Sequence, residues 1–388
     1  MIKTQPSSLC FFLAEDGGAC RASLIKIIAA CLAPLFFLSG CPTEPPEDPP
    51  PLEPGELEPE CEEDDDCNDR DPCTTARCSE GFCLRGRTEM DPTILAVVPT
   101  SEPALHVHLQ DSRWLHVATG EGGIETFDLR PLPEEPATLE RHRATAASAT
   151  GVSFIRDHVI AMIGSAGLEA FPRDEENSVS VYRTSGHPRS LTRVDDLIIA
   201  AMGAKGIEAI DYSDFANPRR YSRVETPGRA EQALRHGSAL HVADGLGGIA
   251  FIDFRERDAP VLRPDRRRAT EGRVMAISIR SPFYILAETG IGVGIIDMDD
   301  PEKDRLALLQ VGGDAVGLST LSRHTAVVAA SDGGLVVLDL LNQASPRILS
   351  RVEFDEPALQ ISRYRERIAV ALGEGGAAIV DLRCMTPE

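Results

Sequence analysis

From residue 93 onward, apolar runs of five or six residues alternate with short polar or glycine-rich stretches, and one run in each cycle opens on Gly and closes on an acid. Its copies read GIETFD at 123–128, GLEAFP at 167–172, GIEAID at 206–211, GIAFID at 248–253, GVGIID at 292–297, GLVVLD at 334–339 and GAAIVD at 376–381. The leading glycines are 44, 39, 42, 44, 42 and 42 residues apart. A period in the forties that holds several short strands per unit predicts a propeller blade. Seven copies predict an all-β, seven-bladed β-propeller of four-stranded blades.

More than one position recurs. Five residues before each anchor glycine stands Ala118, Met162, Ala201, Ala243, Ala287, Ala329 or Ala371, and the fuller consensus Ala-x-Gly-x-Gly-Gly is seen as ATGEGG, ADGLGG and ALGEGG. Apolar runs on both sides make this two strands joined by a turn that needs positive φ. A phosphate cradle would need a helix behind it, and no helical period follows any copy. In the sixth unit the strands are expected at 315–322, 325–330, 335–340 and 347–353, counted from the centre outward. Third strands are apolar almost throughout, as expected when neighbouring blades cover both faces. Outer strands carry charge (LERHRA, RRYSRVE, RILSRVE), which suits an edge exposed to water.

After Asp381 only a short tail remains, so the seventh unit lacks an outer strand. TILAVV at 93–98 has no hairpin partner of its own. It is expected to supply that strand and close the ring.

These units resemble the LVIVD-repeat β-propeller proteins, a family of bacterial secreted and surface proteins, over about 93–381; GLVVLDL, GAAIVDL and GIEAIDY match the repeat core. GLEAFP departs, with Pro172 at the acid position, which predicts an irregular second blade. The resemblance implies an exported propeller with no common catalytic residue set.

Upstream, Arg21 and Lys26 precede an apolar run at 27–38, and Leu38-Ser39-Gly40-Cys41 resembles the lipobox of bacterial lipoproteins. The reading is a signal peptide over 1–40, cleavage after Gly40 and acylation of Cys41, because a run this short does not span a bilayer. Residues 41–60, rich in Pro and Glu, are expected to form an extended tether. Twelve acidic residues and no basic one lie between Pro42 and Asp66, so the net charge of −22 belongs partly to this segment. The expected location is the bacterial cell envelope, as an outer-membrane lipoprotein held by its lipid anchor.

Cys61, Cys67, Cys73, Cys78 and Cys83 lie within an acidic module at 61–91, ahead of the propeller at 92–388. Their spacing suits disulfides better than zinc. Five clustered cysteines leave one over, and Cys384 is the expected partner of that one, with Cys83 as the expected bond. Asp64, Asp66, Asp69 and Asp71 are hard oxygen ligands at short spacing and candidates for Ca²⁺, set against a solvated acidic loop. No other cofactor is expected.

His106 and His108 alternate on one face of the first inner strand, and Glu121, Asp244, Glu288, Asp332 and Glu374 fall in or near the glycine turns. A metal-dependent hydrolase or lactonase with its site over the central channel could be built from these. The favoured reading is a non-enzymatic scaffold whose loop faces bind an envelope protein or a polysaccharide, since the histidines do not recur between blades. Quinone-dependent propeller dehydrogenases pack blades with recurring tryptophans, whereas Trp114 is the single one here. No basic stripe offsets the acidity, which argues against nucleic acid.

Overall fold

The computed structural model describes residues 60–68, 73–88, 90–298 and 305–384. The leader at 1–40, Cys41, the tether before residue 60, Asp69 and Asp71 lie outside the described residues. Among those described, no helix is long and apolar enough to cross a membrane.

Seven four-stranded antiparallel sheets form a seven-bladed propeller. Blade 1 runs outward through His106–Leu109, Trp114–Ala118, Ile124–Asp128 and Thr138–Arg143, and blade 6 through Gly317–Thr320, Thr325–Ala329, Leu335–Asp339 and Arg347–Val352. Alternation within the middle strands explains why they are apolar throughout. In blade 6, Val327 and Val337 pack toward Ile368 and Val370 of blade 7, while Val328, Val336 and Leu338 pack toward Ile285, Val293 and Ile295 of blade 5. Every residue of a middle strand therefore faces one neighbour or the other. Each fully buried Val or Ile contributes on the order of 1.5–3 kcal/mol, so the ring is held by stacked interblade layers rather than one central core.

The recurring alanine has a packing reason. Ala118, Ala201, Ala243, Ala287, Ala329 and Ala371 are fully buried, each beside an inner strand. Blade 2 has Met162 there, and it faces Gly151 across the sheet, where a Cβ would overlap the Met162 methyl. A larger side chain on one strand is matched by none on the other. Pro172 does not set blade 2 apart as expected: Leu168–Pro172 pairs with His158–Met162 in unbroken register, and the short outer strand Ser180–Tyr182 has counterparts in Val261–Leu262 of blade 4 and Ala307–Leu309 of blade 5, where the acid is kept.

Blade 7 joins Gln360–Tyr364, Arg367–Ala371 and Ala377–Asp381 to Thr93–Val98, which pairs antiparallel from Thr93 opposite Asp381 to Val98 opposite Ala377. Its bulge at Leu95 recurs in the outer strands of blades 1, 3 and 6, at Glu140, Tyr221 and Leu349. The N-terminal strand thus has the twist of an outer strand, and the ring closes as expected.

The cysteine module consists of a 3₁₀ turn, Asp64–Cys67, and a hairpin of Thr74–Ser79 and Phe82–Arg87. Its disulfides are Cys61–Cys78, Cys67–Cys83 and Cys73–Cys384, with Cα separations of 5.8, 5.3 and 5.2 Å. The expected staple to Cys384 is present, but its partner is Cys73, not Cys83. Cys83 sits directly opposite Cys78 near the hairpin tip; Cys83 bonds back to Cys67 of the 3₁₀ turn and Cys78 to Cys61 just before it. Cys73 lies at the hairpin base, where Met90 bridges Cys384.

Candidate functional site

The glycine turns between second and third strands build one face of the disc. Gly123 has φ +78°, and a Cβ there would overlap the Arg143 carbonyl oxygen; Gly376 stands in the same relation to Val98. One residue of the turn also bridges to the chain entering the next blade: Gly120 to Ala149, Gly203 to Ala230, Gly245 to Val274, Ser331 to Ala358 and Gly373 to Ala104. The turns are latches between blades.

A buried carboxylate completes the latch in five blades. Glu125 accepts the Ser101 N–H at 3.1 Å, Glu169 that of Ala146 at 2.7 Å and Glu208 that of Ser185 at 3.1 Å. In blades 4 and 5 the acid comes instead from the turn after the second strand or from that strand's end, Asp244 taking Gly228 N–H at 2.7 Å and Glu288 taking Gly272 N–H at 3.2 Å. Each loop so held starts on Thr (Thr100, Thr145, Thr184, Thr226, Thr270), and four of these hydroxyls close a turn onto the carbonyl two residues on. Thr226 instead donates to Asp244, at 2.5 Å. Burial pushes both Asp244 and Glu288 up from the usual carboxylate range, against the hydrogen bonds they accept. The Glu after Gly-Ile or Gly-Leu in blades 1–3, and the Thr opening each loop, were legible signals of this clamp.

The acids considered for chemistry therefore separate. Asp244 and Glu288 are buried clamps, whereas Glu121, Asp332 and Glu374 are exposed at turn tips. None of the five lines the channel cavity.

His106 and His108 share the inner strand His106–Leu109, and His106 lines the channel cavity while His108 does not. His106 Nδ1 accepts from Val152 N–H of blade 2 at 3.5 Å. Gln232 and Gln360 occupy the same position in blades 4 and 7 and do the same work, accepting from Ile277 N–H at 2.8 Å and Val107 N–H at 2.9 Å. Ser362, the counterpart of His108, accepts from Leu109 N–H at 2.9 Å. Protein atoms surround the narrow channel, and burial lowers His106 to about 3, helped by the neighbouring His108, and His108 to about 4. Both rings are neutral, as an acceptor nitrogen requires. His116 in the next strand is likewise held low by burial, with Nδ1 2.9 Å from Thr126 Oγ1 and Nε2 3.1 Å from Gln110 Oε1.

The channel opens on the turn face as a cavity of about 300 Å³, whose ionisable side chains are His106, Arg189 and Glu231. Glu231, 4 % exposed, is surrounded by three guanidiniums: Arg273 at 2.6 Å, Arg189 at 3.1 Å and Arg229 at 3.7 Å. Sequence reading missed this hub, because none of its positions recurs with the repeat.

The acid that closes the repeat serves the opposite face. Asp128 takes Arg113 at 3.1 Å and Arg130 at 2.6 Å, Asp211 takes Arg219 at 2.9 Å, and Asp381 takes Arg383 at 2.8 Å. Hydrogen bonds from Arg255 hold Asp253 down at about 2. In the cysteine module, Asp64 accepts Cys78 N–H at 2.7 Å, and Asp66 accepts the Glu62 and Glu63 N–H groups at 2.8 and 3.0 Å. Both Ca²⁺ candidates that are described thus hold backbone. The sulfurs of Cys61, Cys67 and Cys83 come within a metal's reach of one another, but all three are in disulfides.

No family model matches the chain, and no curated protein matches it. Among solved structures it is similar to the WD40 β-propeller domain of Doa1, at 10% identity and a TM-score of 0.61, covering 75% of this chain and 97% of that one. It is also similar to a chain of the Mitotic Checkpoint Complex, at 8% identity and a TM-score of 0.58, over 76% of this chain and 94% of that one. The computationally designed Ika8 protein matches at 10% identity and a TM-score of 0.55, over 74% and 99%. At such identities the likeness shows the propeller fold alone.

Proposed function

We propose that this chain is an exported lipoprotein of the LVIVD-repeat kind, whose propeller is a rigid, non-enzymatic disc carried on a lipid-anchored tether to bind an envelope protein or polysaccharide. The observation that carries this reading is the use made of the polar side chains. His106 does the work of glutamines elsewhere in the ring, and Asp244 and Glu288 tie down loops. Groups so engaged stiffen a scaffold, and they are poorly placed to exchange protons with a substrate. Three disulfides and the lipobox at Cys41 support export to an oxidising compartment.

Cell fractionation tests the anchor: Cys41→Ser is expected to leave the leader uncut or release the protein from the membrane fraction, and unchanged processing and partition would refute it. For the disc, in-cell crosslinking is expected to capture the same envelope component with wild type and with His106→Gln/His108→Ser. A turnover that this double variant abolishes without unfolding would replace the scaffold with the hydrolase.

A further inference from the structure

Beside the channel mouth, the turn face opens into a second cavity of about 560 Å³ whose charged lining is basic: Arg189, Lys205 and Arg229, with His187 beside them. No carboxylate lines it. Arg189 lines both cavities. In a chain of net charge −22 this is a local reversal of sign.

Two carboxylates that bond to its lining residues, Glu208 and Glu231, are engaged beneath the surface. Glu208 accepts the Ser185 N–H at 3.1 Å and the Tyr182 hydroxyl at 2.5 Å. Glu231 faces three guanidiniums with one negative charge, leaving two positive charges over. It also fixes the arginines, since a guanidinium anchored through Nε still presents its terminal N–H groups. Ser185 Oγ is a buried hydroxyl without a hydrogen-bond partner in the same lining. Donors in excess, held in place by a buried acid, constitute a receptor for an oxyanion.

We propose that this basic cavity, centred on Arg189 and Arg229, binds the carboxylates of an acidic segment of a protein partner. The inference rests on the binding-disc reading and names the chemistry of its partner. A peptide is favoured over a sugar polymer because no Phe, Tyr or Trp lines either cavity to offer a ring a flat apolar platform.

Fluorescence anisotropy of a fluorescein-labelled hexaglutamate peptide, titrated with the full mature chain at low salt, tests it. Saturable binding is expected, weakened by added salt and displaced by unlabelled hexaglutamate at lower concentration than by free glutamate. Arg189→Gln/Arg229→Gln should weaken binding on the order of tenfold or more, as charge-assisted hydrogen bonds are lost, while circular dichroism shows the ring still folded at the assay temperature, though its melt falls because Glu231 keeps only Arg273. Arg189→Lys/Arg229→Lys should recover part of the loss. Absence of peptide binding, equal binding by the Gln double variant, or preference for a polyuronate over the peptide would overturn the proposal. If the crosslinked envelope partner is still captured by the Gln double variant, recognition through this cavity is wrong and the disc stands. Enzymatic turnover with no captured partner would remove the disc itself.

Discussion

Arg87 donates through Nε to Asp339 Oδ1 at 2.7 Å, joining two residues 252 positions apart. The contact carries the cysteine module onto blade 6. A further Arg87 N–H reaches Thr325 Oγ1 at 2.9 Å, and another the His324 carbonyl. Asp339 is 3 % exposed and also takes Arg347 at 2.8 Å. Burial would raise its carboxyl, but hydrogen bonds from Arg87, Leu341 N–H and Arg347 outweigh it and hold the group below its ordinary value. With Cys73–Cys384 on blade 7, the module has one ionic and one covalent attachment to the ring.

Arg87→Ala should lower stability by about 1–3 kcal/mol, because a buried carboxylate loses one of two guanidiniums and a carbonyl loses its donor. Denaturant titration measures this, and hydrogen exchange should show the hairpin amides opening before those of the blades. No change in either would mean that the contact contributes nothing.

Non-reducing peptide mapping should recover Cys73 linked to Cys384. Cys384→Ser should then leave a free thiol at Cys73 while Cys61–Cys78 and Cys67–Cys83 persist. The bond spans a sequence separation of 311, and the chain-entropy model puts the stability lost on its removal at up to about 5 kcal/mol. A Cys83–Cys384 peptide would contradict the pairing.

Deleting the chain through Val98 removes the outer strand of blade 7 and exposes Ala377–Asp381 as an edge. The expected result is cooperative loss of the whole ring, read by circular dichroism, since every blade depends on two neighbours. A truncated chain that melts like the full one would refute closure by this strand.

Stability should fall with acid in two stages. His106, His108 and His241 are held neutral by burial, at about 3, 4 and 4, against about 6.5 in an unfolded chain. The unfolded chain therefore takes up protons that the folded one refuses, and stability present above pH 6.5 is lost as pH falls toward 4. Asp211 is lowered by Ser213 and Arg219, and Asp253, at about 2, by Arg255; their contribution is present above the unfolded value of about 4 and is lost as pH falls through the folded values. Asp244 and Glu288, raised by burial, act in the opposite sense and favour the fold more as pH falls. Melts from pH 8 to 3 should show the first decline, and His106→Gln/His108→Ser, which copies Gln360 and Ser362, should reduce it. An identical profile in the variant would sink the assignment to these rings.

Glu169→Ala and Glu208→Ala should each cost about 1–3 kcal/mol, since each leaves a latch N–H unpaired. The two should add when combined, to within a few tenths, as they serve different blade joints. Urea midpoints measure this, and Glu208→Gln, which keeps an acceptor oxygen, should cost less.

Much of the ring was legible because a repeat records the same local demands seven times. Gly123 and Gly376 recur because the backbone there needs φ > 0 and has no room for a Cβ. Asp128, Asp211, Asp253 and Asp339 recur because each accepts the backbone N–H two residues on and so closes the turn that ends its third strand. The outer strand at 93–98 could be matched to blade 7 because one unit lacked a strand and one strand lacked a unit. The channel histidine was harder to read: His106 differs from Gln232 and Gln360 in type while matching them in function, and only the interblade hydrogen bonds expose the equivalence.

Sequence alone determined the fold, the number of blades, the order of strands and the place where the ring joins, because these depend on alternation, chain direction and turn chemistry that act over a few residues at a time. Tertiary structure decided which cysteine meets Cys384, which acids are buried clamps and which are exposed tips, and how Arg189, Arg229 and Arg273 gather on Glu231. Those are relations between blades, set by how neighbouring sheets turn against one another. Residues forty or three hundred positions apart meet there, and no local pattern records them.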